Sequence, residues 1–191
     1  AEDADARLLG SNDNAYLGTA VKTGFDLDGD GTGDIALGAP RDERGGTDAG
    51  AVYVVSGELE GDDEAADVAM LSIFGTEEVA AGGTLDIDDQ DGDGTLDILV
   101  GHGRLVHSGS SSSWFLGDDE GSSWLFLAPS TGSMSTSSAS VTFGEAGDDA
   151  GVTARFLGDL GGDGAQEVGL LDPDRDGYDT SELFIFSGAG W

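Results

Sequence analysis

The stretch Asp26-Leu-Asp-Gly-Asp-Gly-Thr-Gly-Asp34 places carboxylates at positions 1, 3, 5 and 9 of a nine-residue loop. Alternate residues of a tightly curled loop point inward, so the oxygens of Asp26, Asp28, Asp30 and Asp34 converge on one point. Thr32, at position 7, can add a backbone carbonyl. Gly29 and Gly31 supply the backbone freedom that the curl needs. Two carboxylates roughly 5 Å apart, at an effective dielectric near 20, repel by about 3 kcal/mol. Every pair in the loop adds to that cost, so the closed form needs a cation. Hard oxygen ligands of this number and flexibility suit Ca2+ better than Mg2+ or a transition metal.

The pattern returns twice. Asp89-Gln-Asp-Gly-Asp-Gly-Thr-Leu-Asp97 keeps every ligand position: Asp89, Asp91, Asp93, Thr95 and Asp97. Asp159-Leu-Gly-Gly-Asp-Gly-Ala-Gln-Glu167 keeps Asp159, Asp163 and Glu167 and has Gly161 in place of the second carboxylate. Around each loop lie short β-type runs broken by Gly, Ser or Asp turns. They fall at 7–10, 19–25, 34–38 and 51–56, then 69–74, 83–87, 97–101 and 124–128, then 140–143, 152–157, 167–171 and 183–187. The loop always joins the second run of a unit to the third. No segment carries a long helical period, so the expected class is all-β, with three repeat units over 1–62, 63–137 and 138–191.

Three stretches carry a resemblance. They are Phe25-Asp-Leu-Asp-Gly-Asp-Gly, then Asp34-Ile-Ala-Leu-Gly-Ala-Pro40, then Gly50-Ala-Val-Tyr-Val-Val-Ser-Gly57. Together they resemble the FG-GAP repeat, the blade of integrin α-chain β-propellers and of many bacterial secreted proteins. Units two and three depart from it, with Gly101-His-Gly and Leu171-Asp-Pro where the family has Gly-Ala-Pro. The resemblance implies four-stranded antiparallel blades around an axis, with Ca2+ in a hairpin loop. Family propellers usually have seven blades, and three cannot close a ring. The expectation is a partial or partner-completed propeller, with protein partners or further copies of the chain completing it.

Other readings of the aspartate loops fit less well. An EF-hand needs a Glu at position 12 and flanking helices; position 12 is Leu37 in one loop and Val100 in the next. Asp172-Pro-Asp-Arg-Asp-Gly-Tyr178 reads as an acidic turn, and the serine-rich stretches 108–113 and 130–138 as loops. His102 and His107 read as turn residues and the tryptophans as packing residues, with Trp114-Phe115-Leu116 as a candidate exposed tip.

Charge narrows the partners. The formal net charge is −32, and three bound Ca2+ would bring it only to −26. A solvated acidic surface accounts for the remainder. Nucleic acid is excluded as a partner, since nothing would neutralise its phosphates. No apolar run has the length of a membrane span. No nucleophile elbow, zinc motif or phosphate loop is present. The expected function is therefore a non-catalytic, calcium-stabilised module for adhesion or protein–protein interaction, secreted or at the cell surface. A subunit of a surface filament and an accessory, glycan-binding domain of a larger enzyme are the alternatives.

Overall fold

The computed structural model describes residues 4–76, 79–103, 105–107, 114–116, 122–144, 153–172 and 182–191. The strands in chain order are β1 (Ala6–Leu9), β2 (Ala20–Phe25), β3 (Asp34–Ala39), β4 (Ala51–Ser56) and β5 (Gly61–Glu64). A single helical turn, α1 (Ala65–Val68), leads to β6 (Leu71–Phe74), β7 (Ala81–Asp88), β8 (Asp97–His102), β9 (Leu105–His107) and β10 (Trp114–Leu116). The remainder are β11 (Ser123–Phe126), β12 (Gly132–Ser135), β13 (Val141–Phe143), β14 (Thr153–Phe156), β15 (Val168–Asp172) and β16 (Glu182–Phe186). The fold is all-β, and each run expected from the sequence contains a strand. The near-continuous apolar runs of β4 and β11 reflect burial on both faces, where alternation is not required.

Three larger sheets, beside the two-stranded pairs β1-β5 and β9-β10, hold most of the described strands. The first has the order β12-β6-β4-β3-β2, the second β13-β11-β8-β7 and the third β14-β15-β16. The first differs from the expected grouping. Leu71–Phe74, within the run 69–74 read as opening unit two, pairs antiparallel with β4 and joins the first sheet, with Val52 opposite Ile73. The edge beyond it is β12, which pairs in parallel with β6 and lies in the stretch 130–138 that the sequence reads as a loop. Likewise Val141–Phe143 pairs with β11 and closes the second. The opening run, β1, lies outside the first sheet and pairs in parallel with β5. A repeat in sequence fixes the period but not its phase. Where one sheet ends depends on which free edge the returning chain finds.

The sheets stack face on face. Ala36, Val52, Val54, Leu71 and Ile73 of the first sheet pack with Leu85, Ile87, Ile98, Val100, Trp124 and Phe126 of the second. Leu99, Leu125 and Phe143 of the second pack with Ala154, Val168 and Leu170 of the third. At the first of these contacts, a Cβ on Gly38 would lie 1.9 Å from the carbonyl oxygen of Gly82, so no larger residue fits without the backbones parting. Polar bonds stitch the inner strands β2, β7 and β14 together. Lys22 Nζ lies 2.7 Å from Asp86 Oδ1. Asp86 Oδ2 accepts the N–H of Phe156 at 3.1 Å. One carboxylate thus joins three sheets.

The outer side of the first sheet has its own small core. Tyr53, Ala15, Ala39, Ala51 and Ala65 are buried there, with Leu8, Leu17 and Phe74 against them. Asp42 is fully buried beneath it. Its carboxylate accepts from the hydroxyl of Tyr53 at 2.6 Å, from the Ser11 hydroxyl, and from the Arg44 N–H at 2.9 Å. Burial pushes the Tyr53 phenol far above its ordinary value, and the bond to Asp42 adds to the shift. Nothing in the sequence pattern separates this structural aspartate from the acidic surface.

Two expectations on single residues meet the structure differently. His102 is not a turn residue: it ends β8, is buried, and pairs with Ala81. Trp124 is core, and Trp191 packs on Phe143 with ring centroids 4.8 Å apart. The side chains of His107 and of Trp114-Phe115-Leu116 lie outside the described residues, as do 108–113 and 173–181, which hold the first serine-rich stretch and most of the acidic turn.

Candidate metal centres

Each acidic loop joins the innermost strand of its sheet to the next, β2 to β3, β7 to β8 and β14 to β15. Loop one curls on its own side chains. Asp26 accepts the N–H groups of Gly29 at 2.7 Å and Gly31 at 2.9 Å. Asp28 accepts from Asp30, and Asp30 accepts from Thr32 at 2.6 Å. Gly29 and Gly31 have φ of 76° and 89°, and Gly92 and Gly94 in loop two repeat those values at 76° and 89°. Left-handed angles at both positions are what glycine permits and other residues resist.

These curls bring three carboxylates together in every loop. In loop one, ligand atoms of Asp26, Asp28 and Asp34 lie within 4.8 Å of one another, as do those of Asp89, Asp91 and Asp97 in loop two. Asp159, Asp163 and Glu167 form the corresponding group in loop three. Asp30 and Asp93 fall outside the converging sets. Their carboxylates instead accept the N–H groups of Thr32 and Thr95, and Thr95 also donates its hydroxyl to Asp93 at 2.5 Å. That bond holds the Asp93 carboxyl below the usual carboxylate range.

The last carboxylate of each loop is the buried one. Asp34 sits at the start of β3, nearly inaccessible to solvent. Its Oδ2 accepts from Leu27 N–H at 2.6 Å. Its Oδ1 is buried without a hydrogen-bond donor among the described residues. Burial pushes the Asp34 carboxyl up, opposed by the Leu27 N–H, and the charges of Asp28, Asp26 and Asp30 push it further up. Asp97 is buried in the same way, and burial raises it against backbone N–H groups that lower it, chiefly those of Ala128 and Gln90. Those donors are Gln90 at 2.8 Å and Ala128 at 2.9 Å, the second just past the end of β11. In loop two the buried carboxylate oxygen without a donor among the described residues is Asp89 Oδ1. A buried carboxylate oxygen with no donor is costly unless a cation meets it. All three sets are oxygen-only and acidic, and they fit a hard cation.

Loop three shows how a lost ligand can be replaced. A Cβ built on Gly161 would lie 3.1 Å from Glu167 Oε1 and 3.7 Å from Asp163 Oδ2. The longer Glu167 side chain therefore reaches into the space that an aspartate at 161 would occupy. Glu167 Oε2 also accepts from Leu160 N–H at 2.6 Å, the bond that Asp34 makes to Leu27. Aligning the three loops shows the Gly161 and Glu167 exchanges, but not that they offset each other.

Contacts between loops are unequal. Loops one and two face each other across a cleft of about 300 Å3, lined by Leu27, Leu96, Ala128 and Pro129 among others. Loops two and three are joined. Gln90 Nε2 donates to Gln166 O at 2.7 Å and to Gly188 O at 3.3 Å. Gln166 Nε2 donates back to Asp89 O at 3.0 Å. The sequence carries a signal for this junction, since Gln90 stands where the other loops have Leu27 and Leu160.

Residues 17–55 match the model of the FG-GAP repeat family, a span that holds β2, loop one, β3 and most of β4. No curated protein matches the chain at a significant level. A repeat of this family points to a β-propeller-type protein-interaction module, and such repeats are typically non-catalytic and occur in extracellular proteins. No helix among the described residues is long and apolar enough to cross a membrane.

Proposed function

Because residues 17–55 carry an FG-GAP repeat, we propose that the chain is a non-catalytic, calcium-stabilised module of propeller-type blades that works outside the cell through protein–protein contact, as in adhesion. One observation carries the calcium reading. Asp34 Oδ1 is buried without a donor among the described residues, inside a cluster of carboxylates, where a bound cation would offset both burial and repulsion. Asp26, Asp28 and Asp34 would hold one ion and Asp89, Asp91 and Asp97 a second. Asp159, Asp163 and Glu167 would hold a third. Bound there, Ca2+ supplies charge neutralisation and ties two adjacent strands of a blade. It has no reaction to perform. The ligand count and loop flexibility favour Ca2+ over Mg2+, which demands a near-ideal octahedron.

Melting with and without calcium tests the reading. A ligand at 100 times its dissociation constant stabilises the folded state by about 2.7 kcal/mol per site. Calcium should therefore raise the melting temperature strongly, and equimolar Mg2+ far less. Melting that is unchanged in excess chelator overturns the proposal. Asp28→Ala should remove one binding event from a calcium titration and leave the others, because the loops do not share ligands. A larger assembly is the second reading, favoured by the open face of β16.

A further inference from the structure

The stack of sheets has a direction. Val54 of β4 lies opposite Ala36 and faces the second sheet. Leu125 of β11 lies opposite Leu99 and faces the third. Ile185 of β16 lies opposite Gly169, the same place in the third sheet. Each contact in the chain thus joins the Val54-type face of one sheet to the opposite face of the next. That opposite face is built in the second sheet from Val100 and Trp124, which lie across from each other.

The Ile185-type face is left open at one end, and the opposite face is left partly open at the other. On the third sheet Leu183 is 58% exposed and Ile185 55% exposed, with Leu171, across from Leu183, also exposed. On the first sheet the face that corresponds to Val100 and Trp124 holds Leu37 and Tyr53. Leu8 of β1 and Ala65 of α1 pack over the Tyr53 half. Leu37 is itself buried at the floor of the other half, beside a cavity of about 460 Å3 lined by Leu8, Leu17, Ile35, Leu37 and Leu59 among others. Val21, across from Leu37 and so on the same face, is 57% exposed.

We propose that these two ends meet in a second copy of the chain: the Leu183/Ile185 face of each copy seats against the Val21/Leu37 face of the other. This rests on the propeller-type reading of the sheets. The occupant follows from continuity, because the surface that fits a face of the Ile185 type twice within the chain is the opposite face of another such sheet. The first sheet of a copy presents that face with an apolar cavity already in it. Two chains of three sheets make six, inside the four to eight at which propellers close. The contact is heterologous, so it ends in a ring only if the rotation closes. Here two copies close it, and no strand face remains for a third.

The net charge of −32 on each copy opposes this pairing. The contact itself is apolar. Association should therefore strengthen with salt, the reverse of an interface held by ion pairs.

Sedimentation of the 191-residue chain tests the proposal, in calcium with about 1 M KCl, where the Debye length is about 3 Å. The expected result is a species of twice the 19.3 kDa chain mass, weakening as salt is lowered, with nothing larger at high concentration. Val21→Asp and Ile185→Asp should each give the single-chain mass, with Leu183→Asp as a second block of the same face. All three side chains are exposed, so the melting temperature of the single chain should be unchanged. A single-chain mass for the unaltered protein at every salt concentration overturns the proposal, as does open-ended growth. A dimer broken by Ile185→Asp but untouched by Val21→Asp also overturns it, because that is pairing of β16 with itself. The calcium melting experiment can fail while the dimer stands, and the reverse, so the two readings are separable.

Discussion

β4 and β16 hold the same place in sheets at opposite ends of the stack, and their surroundings differ completely. Both are apolar runs leading to a serine, Ala51-Val-Tyr-Val-Val-Ser and Leu183-Phe-Ile-Phe-Ser. From Ala51 to Val55, every residue of β4 is fully buried. Every residue of β16 is exposed. β4 lies between β3 and β6, with the second sheet on one face and Tyr53's small core on the other. β16 lies beside β15 alone among the described strands. Strand character is therefore written into the sequence of both, and burial is not. Burial comes from what the rest of the chain places beside each strand.

The widest separation between the two should come from truncating matching positions to alanine. Val54 and Ile185 are structural equivalents, so Val54→Ala and Ile185→Ala remove branched side chains from matching places. The first opens a cavity in the contact between sheets and should cost about 2–3 kcal/mol. The second removes exposed atoms and should stay within about 0.5 kcal/mol. Urea unfolding at a concentration that keeps the chain single measures both. Equal losses would show that β16 is covered as β4 is, and would erase the comparison.

Loops one and three repeat the contrast on a smaller scale. Loop one uses Asp28 and Asp34; loop three uses Gly161 and Glu167 to fill the same volume. Glu167→Asp should pull the carboxylate back from the Gly161 space and weaken ion binding at loop three alone. Adding Gly161→Asp to that change recreates the loop-one set and should restore or exceed the original affinity. Gly161→Asp by itself places a Cβ 3.1 Å from Glu167 Oε1 and should help less than the pair. Changes of roughly 10–100-fold at a metal site are usual even for residues that only support the ligands, so calorimetry resolves them. Additive single effects would mean that the two positions do not share one space.

Local chemistry makes much of the molecule legible in its residues alone. The acidic loops, their glycines and the strands on either side all follow from it. Asp26, Asp28 and Asp34 come together as expected, and Asp89, Asp91 and Asp97 do the same. Asp30 and Asp93 do not join these groups; each accepts the N–H two residues on, as a carboxylate placed to cap a turn can. Long-range facts are out of reach of local chemistry. Asp42 resembles every other surface aspartate until Tyr53 and Ser11 are seen beside it. The membership of β6 and β13 in the preceding sheets is hidden for a similar reason. A short apolar run pairs with whichever edge is open, and its own residues do not say which.

The smallest expected effect lies between the loops. Leu27 and Leu96 meet at the cleft between loops one and two, whereas Gln90 and Gln166 join loops two and three. Gln90→Leu would make the second junction resemble the first. It removes the donor to Gln166 O and Gly188 O, which leaves two carbonyls short of a partner at a cost of about 1–3 kcal/mol. It also removes Gln90 Oε1, a buried acceptor with no donor among the described residues, and so relieves a cost of the same kind. Gly188 allows no slack, because a Cβ there would lie 2.2 Å from Gln90 Nε2 and 2.1 Å from Gln166 O. The branched leucine must therefore seat in a space cut for a flat amide. These terms oppose one another, and the net loss should be about 1 kcal/mol. Hydrogen exchange should register it as faster opening of β14 and β15, with β2 and β3 unchanged, because the lost bonds tie only the third sheet to the second. Equal acceleration in β2 would mean that the three loops act as one unit and that the junctions are not separate.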